Sequence, residues 1–253
     1  MKTTPRLADQ QPSVDNHHSA MVLRVATYNV HKCRGMDRRT RPERIAAVIR
    51  SVDADVVATQ EILGRQVEEI ARELSGYSAH FGEVRQHLGE PYGNAVFSRL
   101  PVAHVQTYDI TWRGRERRGC LRVDMDFSAS IVHFFNVHLG TSFFERPHQA
   151  RLLLSENVLH GKELDGPRIV VGDFNEWTRG VATKLMSGHF QSVDRRAFRL
   201  RRTYPGLLPL LHLDHFYYDK HLHLEKFTLV RTRLALVASD HLPLVGEFRL
   251  VDE

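Results

Sequence analysis

Short apolar runs recur along the whole chain, and they restrict its fold more than any other feature. Eight of them have the length and composition of β-strands, at residues 22–30, 54–60, 93–98, 120–127, 131–139, 168–174, 213–219 and 243–251. Several alternate apolar and polar residues, which is typical of strands with one covered face. Because many of these runs are adjacent in the middle of the chain, the pattern favours two packed sheets over one parallel sheet.

Helical patterns lie between the strand-like runs. The first begins at Pro42, a residue suited to the first turn of a helix, and continues with Ile45, Ile49 and Val52. A second apolar stripe consists of Val67, Ile70, Ala71 and Leu74, with Gly76 just beyond it as a stop signal. A third consists of Ala150, Leu153, Leu154 and Val158. Strands and helices in this order predict a layered α/β sandwich.

The composition is that of a globular protein with a sizeable core, since 42% of the 253 residues are hydrophobic. Residues 1–20 are polar and aperiodic, so we expect a disordered tail followed by one folded domain at residues 21–253. No apolar run approaches the roughly 20 residues of a membrane helix, and no secretory signal is evident. We therefore expect a cytoplasmic protein in which Cys33 and Cys120 are reduced thiols.

Polar side chains stand at or near the ends of many apolar runs. They are Asn29, Glu61, His138, Asp173, Asn175, Asp214, Asp240 and His241. Any one of them alone is better explained as a turn residue or a hydrogen-bonded core residue. So many at successive strand ends are harder to explain in that way, because strand ends that face one edge bring distant positions together.

These residues carry a resemblance to a known family. The chain resembles the endonuclease/exonuclease/phosphatase superfamily, metal-dependent hydrolases that include DNase I-like nucleases, in TYN (27–29), QE (60–61), NVHLG (136–140), GDFNEW (172–177), LDHFYY (213–218) and SDHLPLV (239–245). The motifs follow the order of the family and span nearly the whole predicted domain. Three further runs, HKCRGMDRR, ERRGCLRV and TYPGLLPLLHLDHFYY, resemble a bacterial branch. The resemblance implies a four-layer α/β/β/α sandwich of two mixed sheets flanked by helices.

The resemblance also implies a metal site. Glu61 matches the metal ligand of the family, Asn29 lies beside it, and Asp240 matches a residue near the metal. Mg²⁺ is the expected ion, with Mn²⁺ as an alternative, because Mg²⁺ commonly uses one or two protein carboxylates together with waters and substrate oxygens.

The catalytic residues are assigned in the same way. Asp173 resembles the general base, and Asn175 would hold the attacking water or a phosphate oxygen, on the same side as Asp173 if the extended backbone continues. His241 would be a protonated imidazole that contacts phosphate, oriented by Asp214. His138 would donate to a phosphoryl oxygen or assist the leaving group.

The positive charge favours an acidic substrate. The formal net charge is +5, and arginines concentrate at residues 33–44, 113–118 and 195–202. Such runs are usually solvated surfaces, yet arginine is suited to bidentate phosphate contacts. We predict that Arg34, Arg118 and Asn94 bind substrate.

The leading hypothesis is a Mg²⁺-dependent phosphodiesterase that acts on DNA or RNA. The alternative substrates are phospholipid headgroups, inositol phosphates or another phosphorylated small molecule. A non-catalytic phosphate-binding module is disfavoured because every matched position holds a suitable residue. His221 and His223 form an H-x-H pair that could bind zinc, but no cysteine stands near them in the sequence. The oligomeric state and the choice between internal and terminal cleavage stay open.

Overall fold

Two six-stranded mixed sheets form the centre of the protein. The computed structural model describes residues 21–178, 180–193, 202–206 and 208–251, and the predicted tail at residues 1–20 lies outside them. The strands are β1 (Leu23–Asn29), β2 (Val56–Leu63), β3 (Ser78–His87), β4 (Glu90–Ser98), β5 (Val102–Asp109), β6 (Gly119–Phe127), β7 (Ser130–His138), β8 (Arg168–Asp173), β9 (Gln191–Ser192), β10 (Asp214–Tyr218), β11 (Leu222–Leu229) and β12 (Leu244–Leu250). The helices are α1 (Pro42–Val52), α2 (Gly64–Glu73), α3 (Glu145–Leu153), α4 (Val181–His189) and α5 (Arg233–Ala238).

The strand order explains why distant motifs meet at one edge. The first sheet has the order β11-β12-β1-β2-β4-β3, and the second has the order β5-β6-β7-β8-β10-β9. In the first sheet β1 and β2 are parallel, so that Asn29 pairs with Gln60 at their carboxyl ends. In the second sheet the parallel strands β7 and β8 end together with His138 opposite Asp173. The antiparallel strand β10 begins at the same level.

Three apolar layers hold the sandwich together. Leu23 and Val25 of β1 pack between the sheets against residues such as Phe134 of β7, whereas Ala26 and Tyr28 of the same strand face α1 and α2. The outer face of the second sheet packs against α3 and α4 through a separate cluster. Central strands are thus buried on both faces, which is why they read as apolar runs. The predicted four-layer α/β/β/α sandwich is confirmed.

All eight predicted strands are present, but the apolar runs did not reveal every element. The strands absent from the prediction are β3, β5, β9 and β11, which are the edge strands of the two sheets. Helix α3 ends at Leu153, so the stripe that was extended to Val158 overshoots it, and α4 and α5 were not predicted. Cys33 and Cys120 are buried free thiols. Among the described residues, no helix has the length and apolar character that a bilayer crossing requires.

Gly172 allows β8 to reach the site. Its φ of +141° is unfavourable for residues with a side chain, and a Cβ atom there would lie 1.8 Å from the backbone oxygen of Val137 on the neighbouring strand. The next residue is Asp173, so strain at this position acts directly on the site.

We expect Gly172→Ala to lower the free energy of unfolding by about 2–4 kcal/mol, because neither the backbone conformation nor the space accommodates a methyl group. Urea denaturation followed by circular dichroism measures this change. Gly188→Ala in α4 is the matched control, since a Cβ atom there meets nothing within 4 Å. The control should be neutral or slightly stabilising, and equal stability of the two variants would contradict the proposed constraint at Gly172.

Candidate active site

The predicted polar strand ends converge at one edge of the sandwich. Asn29 and Glu61 come from the first sheet, whereas His138 and Asp173 come from the second. Asp214 begins β10, and Asp240 and His241 precede β12 in the segment after α5. Ser239 fastens this segment to β1, because its Oγ donates to the backbone oxygen of Asn29 at 2.8 Å. Residues that are scattered over most of the sequence therefore share one site.

Asn29 links the two sheets. Its Nδ2 donates to Asp173 Oδ2 at 2.9 Å and contacts Glu61 Oε1 at 3.3 Å, while its Oδ1 accepts from the backbone N–H of His31 at 3.0 Å. Two carboxylate acceptors and one N–H donor match only this orientation of the amide. The amide thus positions Glu61 and Asp173 relative to one another.

A β-bulge brings Glu61 into the site. The pairing of β2 with β4 shifts between Thr59 and Ile62, and Glu61 has a φ of +55°. Bulges redirect side chains and often stand beside active sites. Burial opposes the ionisation of Glu61, but the neighbouring His138, Lys32 and His31 hold the pKa of this carboxyl at about 2. Glu61 is therefore an anion throughout the physiological pH range.

His31 and Lys32 also belong to the site, although the sequence did not single them out. Lys32 Nζ lies 3.2 Å from Glu61 Oε2. His31 Nδ1 lies 3.7 Å from the same oxygen and 3.4 Å from Asp240 Oδ2. Both residues have positive φ angles in the tight turn after β1. Glu61 and Asp240 thus face a common, partly exposed space to which positively charged groups are drawn.

Asp173 is an unusual buried carboxylate. Burial raises its pKa to about 7, against the influence of His241 and in the same direction as that of Asp214. Its Oδ1 accepts from the backbone N–H of Asn175 at 2.8 Å, and its Oδ2 lies 3.8 Å from His241 Nε2. A carboxyl with this pKa can exchange a proton near neutral pH.

The expected side-by-side arrangement of Asp173 and Asn175 is wrong in its geometry. Strand β8 ends at Asp173, and Asn175 has a φ of +49°, so the extended backbone does not continue. The amide of Asn175 instead donates to the backbone oxygen of Leu139 at 2.9 Å, in the segment after β7. Asn175 still lies at the site, because its own N–H holds Asp173.

His241 and Asp214 form a buried ion pair. His241 Nδ1 lies 2.9 Å from Asp214 Oδ2. Burial lowers the pKa of His241, but the charge and the hydrogen bond of Asp214 outweigh it and raise the pKa to about 10. The imidazole is therefore protonated at neutral pH, and its Nε2–H points towards Asp173.

His138 has the opposite character. It lies with Nε2 at 3.9 Å from both Glu61 Oε1 and Asp173 Oδ2. Burial and the nearby Arg118 lower the pKa of His138 to about 3, so the ring is neutral near pH 7. Lys32 then supplies the positive charge next to Glu61 at that pH.

The three predicted substrate-binding residues have different positions. Arg118 is buried beside His138, on which its charge acts. Asn94 lies opposite the bulge at Glu61, but its amide donates to the backbone oxygen of Gly119 at 3.1 Å and so serves the sheet junction. Arg34 lies on the exposed turn after β1, and no side chain in the described residues forms an ion pair with it.

The sequence did not predict the buried polar network that lies beneath the site. Gln60 Nε2 donates to Asn136 Oδ1 at 2.7 Å and to Thr27 Oγ1 at 3.0 Å. The amide of Asn136 donates to the backbone oxygens of Thr59 and Ala95, each at 2.9 Å. These bonds join β7 to β2 and β4 across the sandwich. Gln60 lies in the motif QE and Asn136 in the motif NVHLG, so the sequence motifs contained both residues but did not indicate what they do.

Two groups of side chains could hold a cation. Asp173, Asp214 and His241 are the only described cluster whose ligand atoms all lie within 4.8 Å of one another. However, the raised pKa of His241 leaves its ring without a free lone pair. Glu61 and Asp240 fit Mg²⁺ better, because they offer hard oxygen donors in a partly exposed space. His221 and His223 are in no such cluster among the residues described.

Comparison with known proteins agrees with this geometry. A sequence model described as the Endonuclease/Exonuclease/phosphatase family matches residues 26–241. The chain belongs to this family. Members of the endonuclease/exonuclease/phosphatase family are phosphoric ester hydrolases. The matched segment includes every residue of the site from Asn29 to His241.

Individual relatives are distant. The protein YbhP of Escherichia coli K12 is 29% identical over 247 residues, which cover 90% of this chain and 96% of YbhP. A conserved protein of unknown function from Enterococcus faecalis has a solved structure with a TM-score of 0.78, 20% identity and coverage of 90% and 100% of the two chains. The mannosyl-6-phosphatase Bt3783 of Bacteroides thetaiotaomicron has a TM-score of 0.74, 20% identity and coverage of 89% and 99%. These likenesses to solved structures show that the chain shares their fold.

The protonation state of His241 in the His241–Asp214 pair can be tested by its pH dependence. A histidine whose folded pKa is raised contributes stability that is complete below its ordinary value of 6.5 and is lost as the pH rises through about 10. We expect the NMR signals of the His241 ring in metal-free protein to stay in the protonated position from pH 6 to pH 9. In Asp214→Asn the ring should titrate within this range. A wild-type ring that titrates near pH 6.5 would contradict the ion pair.

Proposed function

We propose that this protein is a metal-dependent phosphodiesterase that hydrolyses nucleic acid by attack of water. The observation that carries the proposal is the convergence of Glu61, Asp173 and His241 around Asn29. Asn29 bonds both carboxylates, and His241 lies 3.8 Å from Asp173. Hydrolysis of a phosphodiester requires a base for water and positive charge at the phosphoryl oxygens. The site contains groups suited to each task.

Glu61 and Asp240 are the proposed cation ligands. The low pKa of Glu61 keeps it ionised, and the contacts of Lys32 with Glu61 and of His31 with both carboxylates mark the space as favourable to a cation. Bound Mg²⁺, or Mn²⁺ in its place, would neutralise charge on the phosphoryl group. Asn29, which was predicted as a metal residue, is better suited to orienting Glu61, because its N–H groups point to the carboxylates.

Asp173 is the proposed general base. In its ionised form the carboxylate accepts a proton from the attacking water, and a pKa near 7 suits this transfer at neutral pH. The backbone N–H of Asn175 holds Oδ1, and Asn29 holds Oδ2. The side-chain oxygen of Asn175 has no donor among the described residues, and it is available to the water.

His241 and His138 are the proposed donors to the phosphoryl group. The imidazolium of His241, fixed by Asp214, brings a charged N–H to the side of the site next to Asp173. His138 donates as a neutral ring between Glu61 and Asp173. His241 thus provides a positively charged donor, and His138 provides a neutral, directional hydrogen bond.

Nucleic acid is the preferred substrate class because two arginine-rich loops border the site. The loop after β1 carries Arg34, Arg38, Arg39 and Arg41, and the loop before β6 carries Arg113, Arg115, Arg117 and Arg118. Most of the third predicted run, residues 195–201, lies outside the described residues. A basic rim of this kind favours a polyanion. The cytoplasmic location predicted from the sequence stays a prediction.

Exposed apolar side chains at the same edge support phospholipid as the second candidate. Leu88, Phe143, Phe144, Leu208 and Leu210 have relative exposures of 94%, 55%, 69%, 67% and 54%. They stand on loops next to β4, β7 and β10. Apolar loop tips among arginines also suit a lipid surface. A phosphorylated small molecule is supported only by the fold likeness to the mannosyl-6-phosphatase.

Two substitutions test the proposed chemistry. We expect Asp173→Asn to lower kcat for bis(p-nitrophenyl) phosphate by about 10²–10⁴-fold, because the base is lost while the shape is kept. We expect Glu61→Gln to raise the Mg²⁺ concentration for half-maximal rate by about tenfold or more. Initial rates across a Mg²⁺ series, with EDTA as the zero point, measure both.

Asp53→Asn is the matched control for these changes. Asp53 is an exposed carboxylate at the opposite end of β2, paired with Arg99 and in a left-handed conformation that asparagine tolerates. Its rates should equal those of the wild type. Wild-type rates in Asp173→Asn would remove Asp173 as the general base, and binding of DNA without product at every metal concentration would replace the enzyme with a binding module.

The substrate class is tested by comparing the products formed from different phosphoesters. Single-stranded and duplex oligonucleotides, phosphatidylglycerol vesicles and inositol phosphates are incubated with the protein and Mg²⁺, and products are separated by chromatography. We expect oligonucleotide cleavage that falls steeply between about 50 and 200 mM salt. Product from vesicles alone, lost in Phe143→Ser/Phe144→Ser, would assign the lipid instead.

A further inference from the structure

Two arginines next to the site share one exposed carboxylate. Arg85 Nη2 lies 2.6 Å from Glu116 Oε1, and Arg118 Nη2 lies 2.8 Å from Glu116 Oε2. Each oxygen of Glu116 thus contacts a different guanidinium. Arg85 comes from β3 and Arg118 from the loop before β6, so the pair bridges two sheets.

This arginine pair lies beside the proposed catalytic residues. Arg118 stands one residue before β6, whose Cys120 pairs with Val137, the neighbour of His138. The guanidinium of Arg85 lies 4.2 Å from the centre of the Tyr92 ring, and Lys32 Nζ lies 6.0 Å from the same centre. Lys32 in turn contacts Glu61. The pair is therefore separated from the proposed metal site by a single aromatic ring.

The three charged groups differ in how firmly the fold holds them. Arg118 is only 6% exposed, and its Nε is buried without a hydrogen-bond partner. The side chain of Glu116 is 48% exposed. A buried guanidinium with unused donors is held in place by the protein, whereas an exposed carboxylate on a loop can leave at little cost. The fold therefore holds the arginine pair in place, whereas Glu116 can move away from it.

We propose that Arg85 and Arg118 form a subsite for a second phosphate of the substrate, and that Glu116 occupies this subsite in the free protein. The proposal rests on the proposed function, because it gives the phosphodiester substrate a further anionic group next to the scissile one. A phosphate presents two oxygens to two guanidinium groups just as the Glu116 carboxylate does. The incoming phosphate displaces Glu116, which turns into solvent.

The direction in which one substitution changes phosphate affinity separates this role of Glu116 from a purely structural one. If Glu116 competes with phosphate, Glu116→Gln raises phosphate affinity, because a neutral amide holds the arginines less strongly. If Glu116 only keeps the arginines in place, the same change lowers phosphate affinity. Glu116 is exposed, so the variant is expected to fold like the wild type.

The first experiment measures inorganic phosphate binding by calorimetry in EDTA, where the carboxylates of Glu61 and Asp240 have no metal cation to neutralise them and repel the anion from the main site. We expect Glu116→Gln to bind about tenfold more tightly than the wild type, and Arg85→Gln to lose binding. Arg50→Gln is the control, since Arg50 is exposed, lies in the last turn of α1 and faces Glu73 instead. Equal affinities in all four proteins, or weaker binding by Glu116→Gln, would overturn the subsite.

The second experiment asks whether the subsite serves the reaction. The values of kcat/KM are compared for the thymidine dinucleotide TpT and for the same dinucleotide with a phosphate at its 5′ or 3′ end. We expect the wild type to favour one phosphorylated form by about tenfold, Arg85→Gln to lose this preference and Glu116→Gln to increase it. Arg50→Gln should leave the preference unchanged. No preference in the wild type would overturn the proposal.

The two experiments fail in distinguishable ways. If no protein hydrolyses any dinucleotide, the proposed function fails, and the phosphate titration still decides whether the subsite exists. If the dinucleotides are hydrolysed but phosphate binding is the same in all variants, the subsite fails and the proposed function stands.

Discussion

The hydrogen bond from Asn29 to Asp173 is the contact on which the site depends. It crosses from one sheet to the other, and the same amide holds Glu61. Two carboxylates from different layers would repel each other at this spacing, and the amide N–H groups between them make it tolerable. The separation of the carboxylates is therefore set by how the two sheets pack. Gln60 and Asn136 fix that packing just below, through a buried hydrogen bond of 2.7 Å between the layers.

The layered fold was predictable because the central strands are buried on both faces. Strands such as β1 and β8 must be apolar on each side, and they stand out as runs. The edge strands β3, β5 and β11 did not, since solvent covers part of each and their residues are mixed or exposed. Charged and polar residues on edges also prevent pairing with other chains. The same physical requirement that protects an edge hides it from a search for apolar runs.

The site was predictable as far as its motifs reach. Asp173, Asp214 and His241 occupy expected places because short motifs contain both the residue and the strand that carries it. Lys32, Arg85 and Glu116 were not singled out, since a charged loop residue in a sequence cannot be told from a solvated one. The predicted orientation of Asn175 was wrong for a local reason. Its left-handed backbone ends the alternation of side chains along the extended strand, on which the prediction relied.

Glu61 and Asp173 illustrate how one fold gives two carboxylates different chemistry. Both contact the amide of Asn29, yet the pKa of Glu61 is about 2 and that of Asp173 is about 7. Glu61 is partly exposed beside Lys32, whereas Asp173 is buried and lies near a second carboxylate, Asp214. In the proposed reaction the first stays an anion that attracts a cation, and the second exchanges a proton. The roles follow from the environment that each strand end provides, since the side chains differ by only one methylene group.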